Sequence, residues 1–176
     1  MALITEYHTT ARPTYSLVEV YDSDAYLDDA DAANRSSTEV VAGNGYHLYL
    51  RSLQPDIRVK VVIRIWDSPQ EPPGDSEGIA TVTLESETGV LVINQLTMGP
   101  AGEMTLPQPG VYAGHAWWKG RQAAADYYDE IIRQGATQPW SPGQLGHAWA
   151  QSPVTEQYTL DLWFLRACEP EDDEEL

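Results

Sequence analysis

The chain has 176 residues, of which 42% are apolar, and it carries 27 Asp and Glu against 10 Lys and Arg, for a formal net charge of −17. A chain of this length and apolar content is typical of one globular domain with its own core, which excludes intrinsic disorder as its main state. The negative charge argues against a nucleic-acid partner or an anionic membrane and favours a basic partner.

Most of the chain alternates apolar and polar residues with a period of two, which predicts short β-strands separated by turns. In the first third of the chain, the weaker candidates cover residues 3–8, 15–21, 40–41 and 46–50. The clearest strand covers residues 57–65, where Ile and Val alternate with mostly basic side chains. This strand has one apolar face, so we expect it to border the core.

Further strands follow a proline-rich loop. Residues 80–84 and 90–93 flank the turn Glu87-Thr88-Gly89 and predict a hairpin. Two more strands are predicted at residues 111–118 and 158–164. With roughly seven to nine short strands, the sequence predicts a mainly β protein, and we expect an antiparallel β-sandwich.

One segment departs from this pattern. In residues 121–134, the apolar side chains of Ala124, Tyr128 and Ile131 fall on one helical face, and Gly135 follows as a C-terminal cap. The sequence therefore predicts one amphipathic α-helix, inserted before the last strand.

The predicted organisation is a single β-sandwich domain over residues 1–168. Residues 136–154 contain several Pro and Gly, and we interpret them as an irregular loop. Residues 169–176 contain six acids, and we expect them to form a disordered acidic tail.

A second group of acids lies near the start of the chain and consists of Asp22, Asp24, Asp28, Asp29 and Asp31. Asp22 and Asp24 are spaced as in the calcium-binding loop of an EF-hand, but Tyr26 and Ala33 occupy positions that need oxygen ligands. We therefore interpret the group as a solvated acidic loop, with an irregular calcium site as the alternative.

No residue pattern indicates catalysis or a cofactor. The four histidines form no close pair, although zinc sites need clustered His and Cys. The single cysteine, Cys168, lies beside Glu169 and Glu171, whose charge should raise the pKa of the thiol and lower its reactivity. Neither a nucleophile elbow nor a phosphate-binding loop is present. We expect a protein that is not an enzyme and that holds no metal or cofactor.

The tryptophans are further candidates for function. Trp140 and Trp149 lie in the irregular loop and are candidates for partner contacts, the alternative being that they pack the loop onto its own domain. Trp66, Trp117 and Trp163 lie in or beside predicted strands. That position favours packing over a sugar-stacking platform or a protein-binding anchor.

One basic stripe stands out in this acidic chain. Arg58, Lys60 and Arg64 alternate along the clearest strand. We expect these side chains to pair with acids on neighbouring strands rather than to hold phosphate.

The order of several segments resembles a known group of proteins. These segments are Arg64-Ile65-Trp66-Asp67, the hairpin strands 81–84 and 89–92, Pro109-Gly110-Val111-Tyr112, and the last strand at 156–163. They resemble small bacterial β-sandwich proteins that include the competence protein J family of nuclease inhibitors. The resemblance covers residues 40–118 and 156–164 and implies a protein that binds and restrains another protein. It carries over no catalytic residue, and the helix and loop before the last strand look like an insertion.

The leading hypothesis is a non-enzymatic, inhibitor or immunity-like protein whose acidic surface occludes a basic protein partner. The predicted contacts are Asp22, Asp24, Asp28, Asp29, Asp31, Trp140 and Trp149. The alternatives are an assembly component of a bacterial or phage particle that docks through residues 136–154, and a carbohydrate-binding β-sandwich. The first 15 residues lack the basic and apolar regions of a signal peptide, and no apolar run reaches the ~18 residues that span a membrane. We therefore expect a cytoplasmic protein.

Overall fold

The computed structural model describes residues 2–169. The strands within this range are β1 (Leu3–Ala11), β2 (Leu17–Asp22), β3 (Val41–Gly43), β4 (His47–Arg51), β5 (Val59–Trp66), β6 (Gly78–Ser86), β7 (Val90–Gln95), β8 (Gly99–Thr105), β9 (Gly110–Lys119) and β10 (Gln157–Arg166). The helices are α1 (Ala30–Glu39), α2 (Arg121–Thr137) and α3 (Pro142–Ala150).

The strands form two five-stranded sheets. Sheet A has the order β1-β5-β10-β9-β6, and sheet B has the order β3-β4-β2-β7-β8. All of the paired strands are antiparallel except β5 and β10, which run parallel in the middle of sheet A. The expectation of a purely antiparallel arrangement is wrong for this pair. A parallel neighbour is reached through a long crossover, and pairing between strands so distant in the chain leaves no local pattern in the sequence.

One apolar core is shared by the two sheets. Sheet A contributes Val61 and Ile63 from β5 and Leu160 from β10, and sheet B contributes Val20 and Ile93, all of them fully buried. These side chains occupy alternate positions on their strands, so the period of two in the sequence becomes one buried face per sheet. The predicted mainly β architecture is confirmed, with two sheets facing each other as in a β-sandwich.

The helices differ from the prediction. The expected helix over residues 121–134 corresponds to α2, which extends to Thr137. The expectation of only one helix is wrong, because α1 follows the acidic residues near the start and α3 lies inside the supposed irregular loop at 136–154. In α3, the side chain of Ser141 accepts a hydrogen bond from the Gln144 amide while Gln144 caps the Ser141 amide in return. This capping box, with Pro142 in the first turn, supports a helix despite the glycines.

Strand β10 explains the strand-borne tryptophans. It is the central strand of sheet A, and it is buried on both faces, with Leu160 and Leu162 on the core side and Thr159 and Asp161 on the other. On the outer face the carboxylate of Asp161 is buried and accepts hydrogen bonds from the indole Nε1 atoms of Trp66, at 2.9 Å, and Trp117, at 2.8 Å. These two indoles are therefore fixed against their own sheet, as expected for packing rather than for a sugar platform.

Only Glu169 of the predicted acidic tail is among the described residues. Residues 170–176 lie outside the described residues, and β10 ends at Arg166. No helix in residues 2–169 is long and apolar enough to cross a membrane.

Candidate protein-binding surface

The acidic segment, residues 22–31, runs from the end of β2 into the first turn of α1. It contains all five predicted aspartates, but they occupy different environments. Asp24, Asp28 and Asp31 are exposed, Asp29 is half-buried, and Asp22 is buried. Three of the five carboxylates therefore face the solvent.

Asp22 ties this segment to the β6–β7 hairpin. Its carboxylate accepts hydrogen bonds from the hydroxyls of Ser86, at 2.5 Å, and Thr88, at 2.7 Å, and from the backbone amides of Thr88 and Asp24. Burial disfavours the charged form, but these hydrogen bonds outweigh it and lower the pKa of Asp22. The predicted partner contact by Asp22 does not fit this position, because the side chain is fully buried.

Asp29 is the N-cap of α1. Its side chain accepts a hydrogen bond from the Ala32 amide at 3.1 Å, and its own amide donates to the Tyr49 hydroxyl at 2.9 Å. The hydrogen bond from Ala32 is the main cause that lowers the pKa of Asp29. A charged carboxylate at this position also suits the helix dipole. Asp29 thus orients the helix that carries Asp31.

The exposed face of α1 remains anionic. Arg35 is the only basic residue of the helix, and it forms ion pairs with Asp31 at 3.1 Å and Glu39 at 3.2 Å. Its guanidinium also donates to the Gly43 carbonyl at 3.0 Å. One cation therefore serves two carboxylates, while neither Asp24 nor Asp28 forms an ion pair with any described residue.

A buried polar pair lies beneath the acidic segment. His47 on β4 and Glu19 on β2 are both fully buried, and the His47 Nε2 atom hydrogen-bonds the Glu19 carboxylate. Asn94 donates to the other Glu19 oxygen at 3.2 Å. The His47 Nδ1 atom has no hydrogen-bond partner among the described residues. The proton of a neutral imidazole therefore belongs on Nε2, from where it is donated to the carboxylate.

Three tyrosines enclose the His47 ring. Tyr21 stacks on it at a centroid distance of 4.7 Å, Tyr26 meets it edge-on at 5.0 Å, and Tyr49 lies at 4.8 Å. Tyr26 belongs to the acidic segment, and Tyr49 also accepts the hydrogen bond from the amide of Asp29. This cluster was not predicted, because a histidine at an outward position of a strand looks exposed until the segment that covers it is known. It supports the backbone from which the exposed aspartates project.

Trp140 and Trp149 lie in the hairpin formed by α2 and α3. Trp149 stacks on Tyr128 of α2 at 4.8 Å with an interplanar angle of 14°, and Tyr127 donates to the Ala148 carbonyl at 2.8 Å. The Trp140 amide donates to the Gly135 carbonyl at 2.9 Å. Both indoles are half-buried. They pack the hairpin together, which was the alternative to a partner contact, but each keeps an exposed part.

Arg51 links the acidic segment to this hairpin. Its guanidinium donates to the Ala33 carbonyl of α1 at 2.8 Å, and its own carbonyl accepts from the Arg121 side chain, the first residue of α2, at 2.9 Å. Arg51 therefore bridges α1 and the first residue of α2. The exposed acids of α2 are Asp126, Asp129 and Glu130.

The described residues offer little for catalysis. Burial, and then the charges of Glu85 and Glu87, raise the pKa of the Cys168 thiol, which makes it a weaker nucleophile. No group of three or more His, Cys, Asp or Glu side chains within residues 2–169 is arranged to hold a metal ion.

Two solved structures share this fold. ComJ, an inhibitor of the DNA degrading activity of NucA from Bacillus subtilis, matches with a TM-score of 0.56 at 13% identity, over 93% of this chain and 98% of ComJ. The product of crocagin biosynthetic gene J matches with a TM-score of 0.51 at 16% identity, over 94% of this chain and 100% of that protein. No family model matches the chain, and no curated protein matches it. The resemblance expected from the sequence is thus confirmed at the level of the fold.

Proposed function

We propose that this chain is a non-enzymatic protein-binding module that inhibits a basic partner by covering it with an acidic surface. The observation that carries the proposal is the exposure of Asp24, Asp28 and Asp31 on one segment. This segment is anchored by the hydrogen bonds of Asp22 and Asp29 and by the contact of Tyr26 with the buried His47 ring. The fold likeness to ComJ supports a nuclease as the class of partner.

The mechanism is electrostatic steering followed by steric occlusion. A nuclease binds a polyanion, so the surface around its active site carries positive charge. An anionic protein surface is attracted to the same region and excludes nucleic acid once it is docked. This mechanism requires no reactive group on the inhibitor.

The α2–α3 hairpin is the proposed second contact. Trp140 is half-buried and Ile132 is 42% exposed on α2. Large apolar and aromatic side chains at the centre of an interface commonly supply most of the binding free energy. Trp149 shares this hairpin but is held against Tyr128, so we expect it to contribute less than Trp140.

A charge-matched comparison tests the proposal. The variant Asp24→Asn/Asp28→Asn/Asp31→Asn removes three charges from the acidic segment. The control Glu71→Gln/Asp75→Asn/Glu103→Gln removes three exposed charges elsewhere. Asp75 pairs with Lys119 as Asp31 pairs with Arg35, so one ion pair is lost in each variant. Inhibition of NucA and of a set of other basic nucleases is measured for both. We expect the first variant to lose at least about tenfold in inhibition and the control to lose less than about threefold.

Two outcomes would count against the proposal. One is the absence of inhibition or binding by the unmodified chain across the whole set of basic nucleases. The other is an equal loss in both variants, which would mean that net charge matters but the acidic segment does not.

A further inference from the structure

A cleft separates α3 from the beginning of β5. It has a volume of about 810 Å³ and is bounded by Arg12 after β1, by Asp56, Arg58 and Lys60 at the start of β5, and by Trp149 of α3. It lies at the end of sheet A where the segment after α3 returns to enter β10. None of the exposed aspartates of the acidic segment lines it.

The cleft concentrates positive charge in an acidic protein. Three of the ten basic residues of the chain line it, against one acid, Asp56. Arg12 pairs with Asp56 at 2.5 Å. Arg58 and Lys60 form neither an ion pair nor a side-chain hydrogen bond with any described residue. The lining therefore keeps a net charge of +2.

The third residue of the basic stripe behaves differently. Arg64 on the same strand reaches Glu6 of β1 at 3.4 Å, so the expected pairing across strands is found for this residue. The expectation is wrong for Arg58 and Lys60 among the described residues. Lys60 lies opposite Thr10 of β1 and Gln157 of β10, and Arg58 precedes β5 and has no partner in the strand register. The donors of both side chains are therefore available to an anion supplied from outside.

The negative charge of the whole chain does not prevent an anion from binding in the cleft. Only one acid, Asp56, lines the cleft, and charges more than about 8 Å away are largely screened at physiological ionic strength. An anion seated in the cleft is affected mainly by its immediate neighbours, which are cationic. A long polyanion would instead extend over the acidic surface, so the ligand has to be small.

The other wall of the cleft is aromatic and apolar. Trp149 is held by its stacking on Tyr128 at 4.8 Å, and Val154 also lines the cleft. A flat or apolar group placed against this wall loses water-exposed surface at no cost in ordering the indole. The cleft thus offers a cationic end and an apolar side.

We propose that this cleft binds a small organic anion. A carboxylate or phosphate group is held by Arg58 and Lys60 through charge-assisted hydrogen bonds, and an apolar or aromatic body rests on Trp149. The site is separate from the acidic surface and does not depend on the proposed inhibitory function.

Four probes separate the parts of this proposal. Phenyl phosphate and benzoate carry both the anion and the ring, inorganic phosphate carries only the anion, and benzyl alcohol carries only the ring. Binding is followed by calorimetry and by the NMR shift of the Trp149 indole N–H. We expect at least one ring-bearing anion to bind saturably, and at least about tenfold more tightly than either inorganic phosphate or benzyl alcohol. The comparison of phenyl phosphate with benzoate then assigns the anion type.

Single substitutions test which side chains contact the bound anion. Arg58→Gln and Lys60→Gln should each weaken binding by about tenfold, whereas Arg166→Gln, an exposed cation at the opposite end of sheet A, should leave it unchanged. Trp149→Phe should weaken the ring-bearing anions but not inorganic phosphate. Arg58 is exposed and Lys60 is half-buried at the rim, so these variants are expected to fold.

The proposal is overturned if neither ring-bearing anion binds saturably, or if binding is the same in Arg58→Gln, Lys60→Gln and Arg166→Gln. Inhibition of nucleases by the Arg58 and Lys60 variants is measured in parallel. Normal inhibition with lost anion binding, or the reverse, separates the fate of this proposal from that of the inhibitory function.

Discussion

At the scale of single residues, Asp22 illustrates a carboxylate whose role is structural. Four donors converge on it, three of them from Ser86 and Thr88 in the turn between β6 and β7. Hydrogen bonds to a charged acceptor contribute about 1.5–3 kcal/mol each when their loss leaves the partners unpaired. The acidic segment begins at this anchor, so Asp22 acts on the surface by fixing where it starts.

The substitution Asp22→Asn tests this anchor. The amide group of Asn would face hydrogen-bond donors, so we expect the free energy of unfolding to fall by about 2–3 kcal/mol at pH 7. Urea denaturation measures the change. Asp24→Asn is the control, because this exposed carboxylate should alter stability by less than about 0.5 kcal/mol.

The pH dependence of Asp22 has a definite sign. Its pKa is lowered by folding from an ordinary value of 3.8, so its contribution is present above that value and is lost as the pH falls through the lower, folded value. The stability difference between the natural chain and Asp22→Asn should therefore shrink below about pH 4. A difference that stays constant down to pH 2 would contradict the assignment.

Glu156 is a carboxyl group of the opposite kind. It is buried, and it lies 2.5 Å from the Tyr158 hydroxyl and 3.0 Å from the Ser52 hydroxyl. Tyr158 also lies 2.9 Å from the Arg51 carbonyl, which can only accept a hydrogen bond. The Arg51 carbonyl also accepts from the Arg121 side chain, and the Tyr158 hydroxyl donates its proton to the Glu156 carboxylate. Burial raises the pKa of Glu156 and outweighs the hydrogen bonds from Tyr158, Ser52 and Gln54, which favour the charged form.

Glu156 should therefore make the protein less stable as the pH rises. A raised folded pKa contributes stability below the unfolded value of 4.5, and this contribution is lost as the pH rises from there through the folded value. Glu156→Gln keeps the donor and the acceptor without the titration. We expect its free energy of unfolding at pH 8 to equal or exceed that of the natural chain, and its profile between about pH 5 and 8 to be flatter. A variant much less stable than the natural chain at pH 8 would show that the charged carboxylate is the stabilising form.

At the scale of secondary structure, most of the strands were predictable, whereas β8 and two of the helices were not. The strand predicted at 57–65 corresponds to β5, because half-burial on a sheet leaves a clear alternation of residue types. Helix α1, with the sequence ADAANRSSTE, has few apolar residues, so no amphipathic pattern marks it, and the sequence predicts only an acidic loop at residues 22–31. Helix α3 contains Pro142, Gly143 and Gly146, which usually interrupt helices. The capping residues Asp29 and Ser141 were the available local signals for both.

Gly120 determines how α2 follows β9. Its φ of 74° lies in the left-handed region, and a Cβ atom there would press against the backbone carbonyl oxygen of Thr155. We expect Gly120→Ala to lower the free energy of unfolding by at least about 1–2 kcal/mol. Gly74→Ala is the control, since a Cβ atom there has no neighbour within 4 Å. Equal stability of the two variants in thermal denaturation would show that α2 does not need this close approach.

At the scale of the whole molecule, charge is sorted onto separate surfaces. The acidic segment and α2 display exposed carboxylates, and the cleft beside α3 holds Arg58 and Lys60 without partners among the described residues. The sequence indicates the first feature, because most carboxylates in a run of aspartates remain solvated. It does not indicate that Asp22 is buried or that Arg58 and Lys60 are unpaired, because both depend on residues that only the fold brings close.

The central claim is that the acidic surface guides this chain onto a basic protein. The most direct test is the association rate constant with a basic nuclease, measured by stopped-flow between about 50 and 200 mM salt for the natural chain and for Asp24→Asn/Asp28→Asn/Asp31→Asn. We expect the rate constant of the natural chain to fall about tenfold or more with added salt. The variant should associate more slowly, and its rate constant should depend less on the salt concentration. A rate constant that does not change with salt, or that is identical in the two proteins, would contradict it.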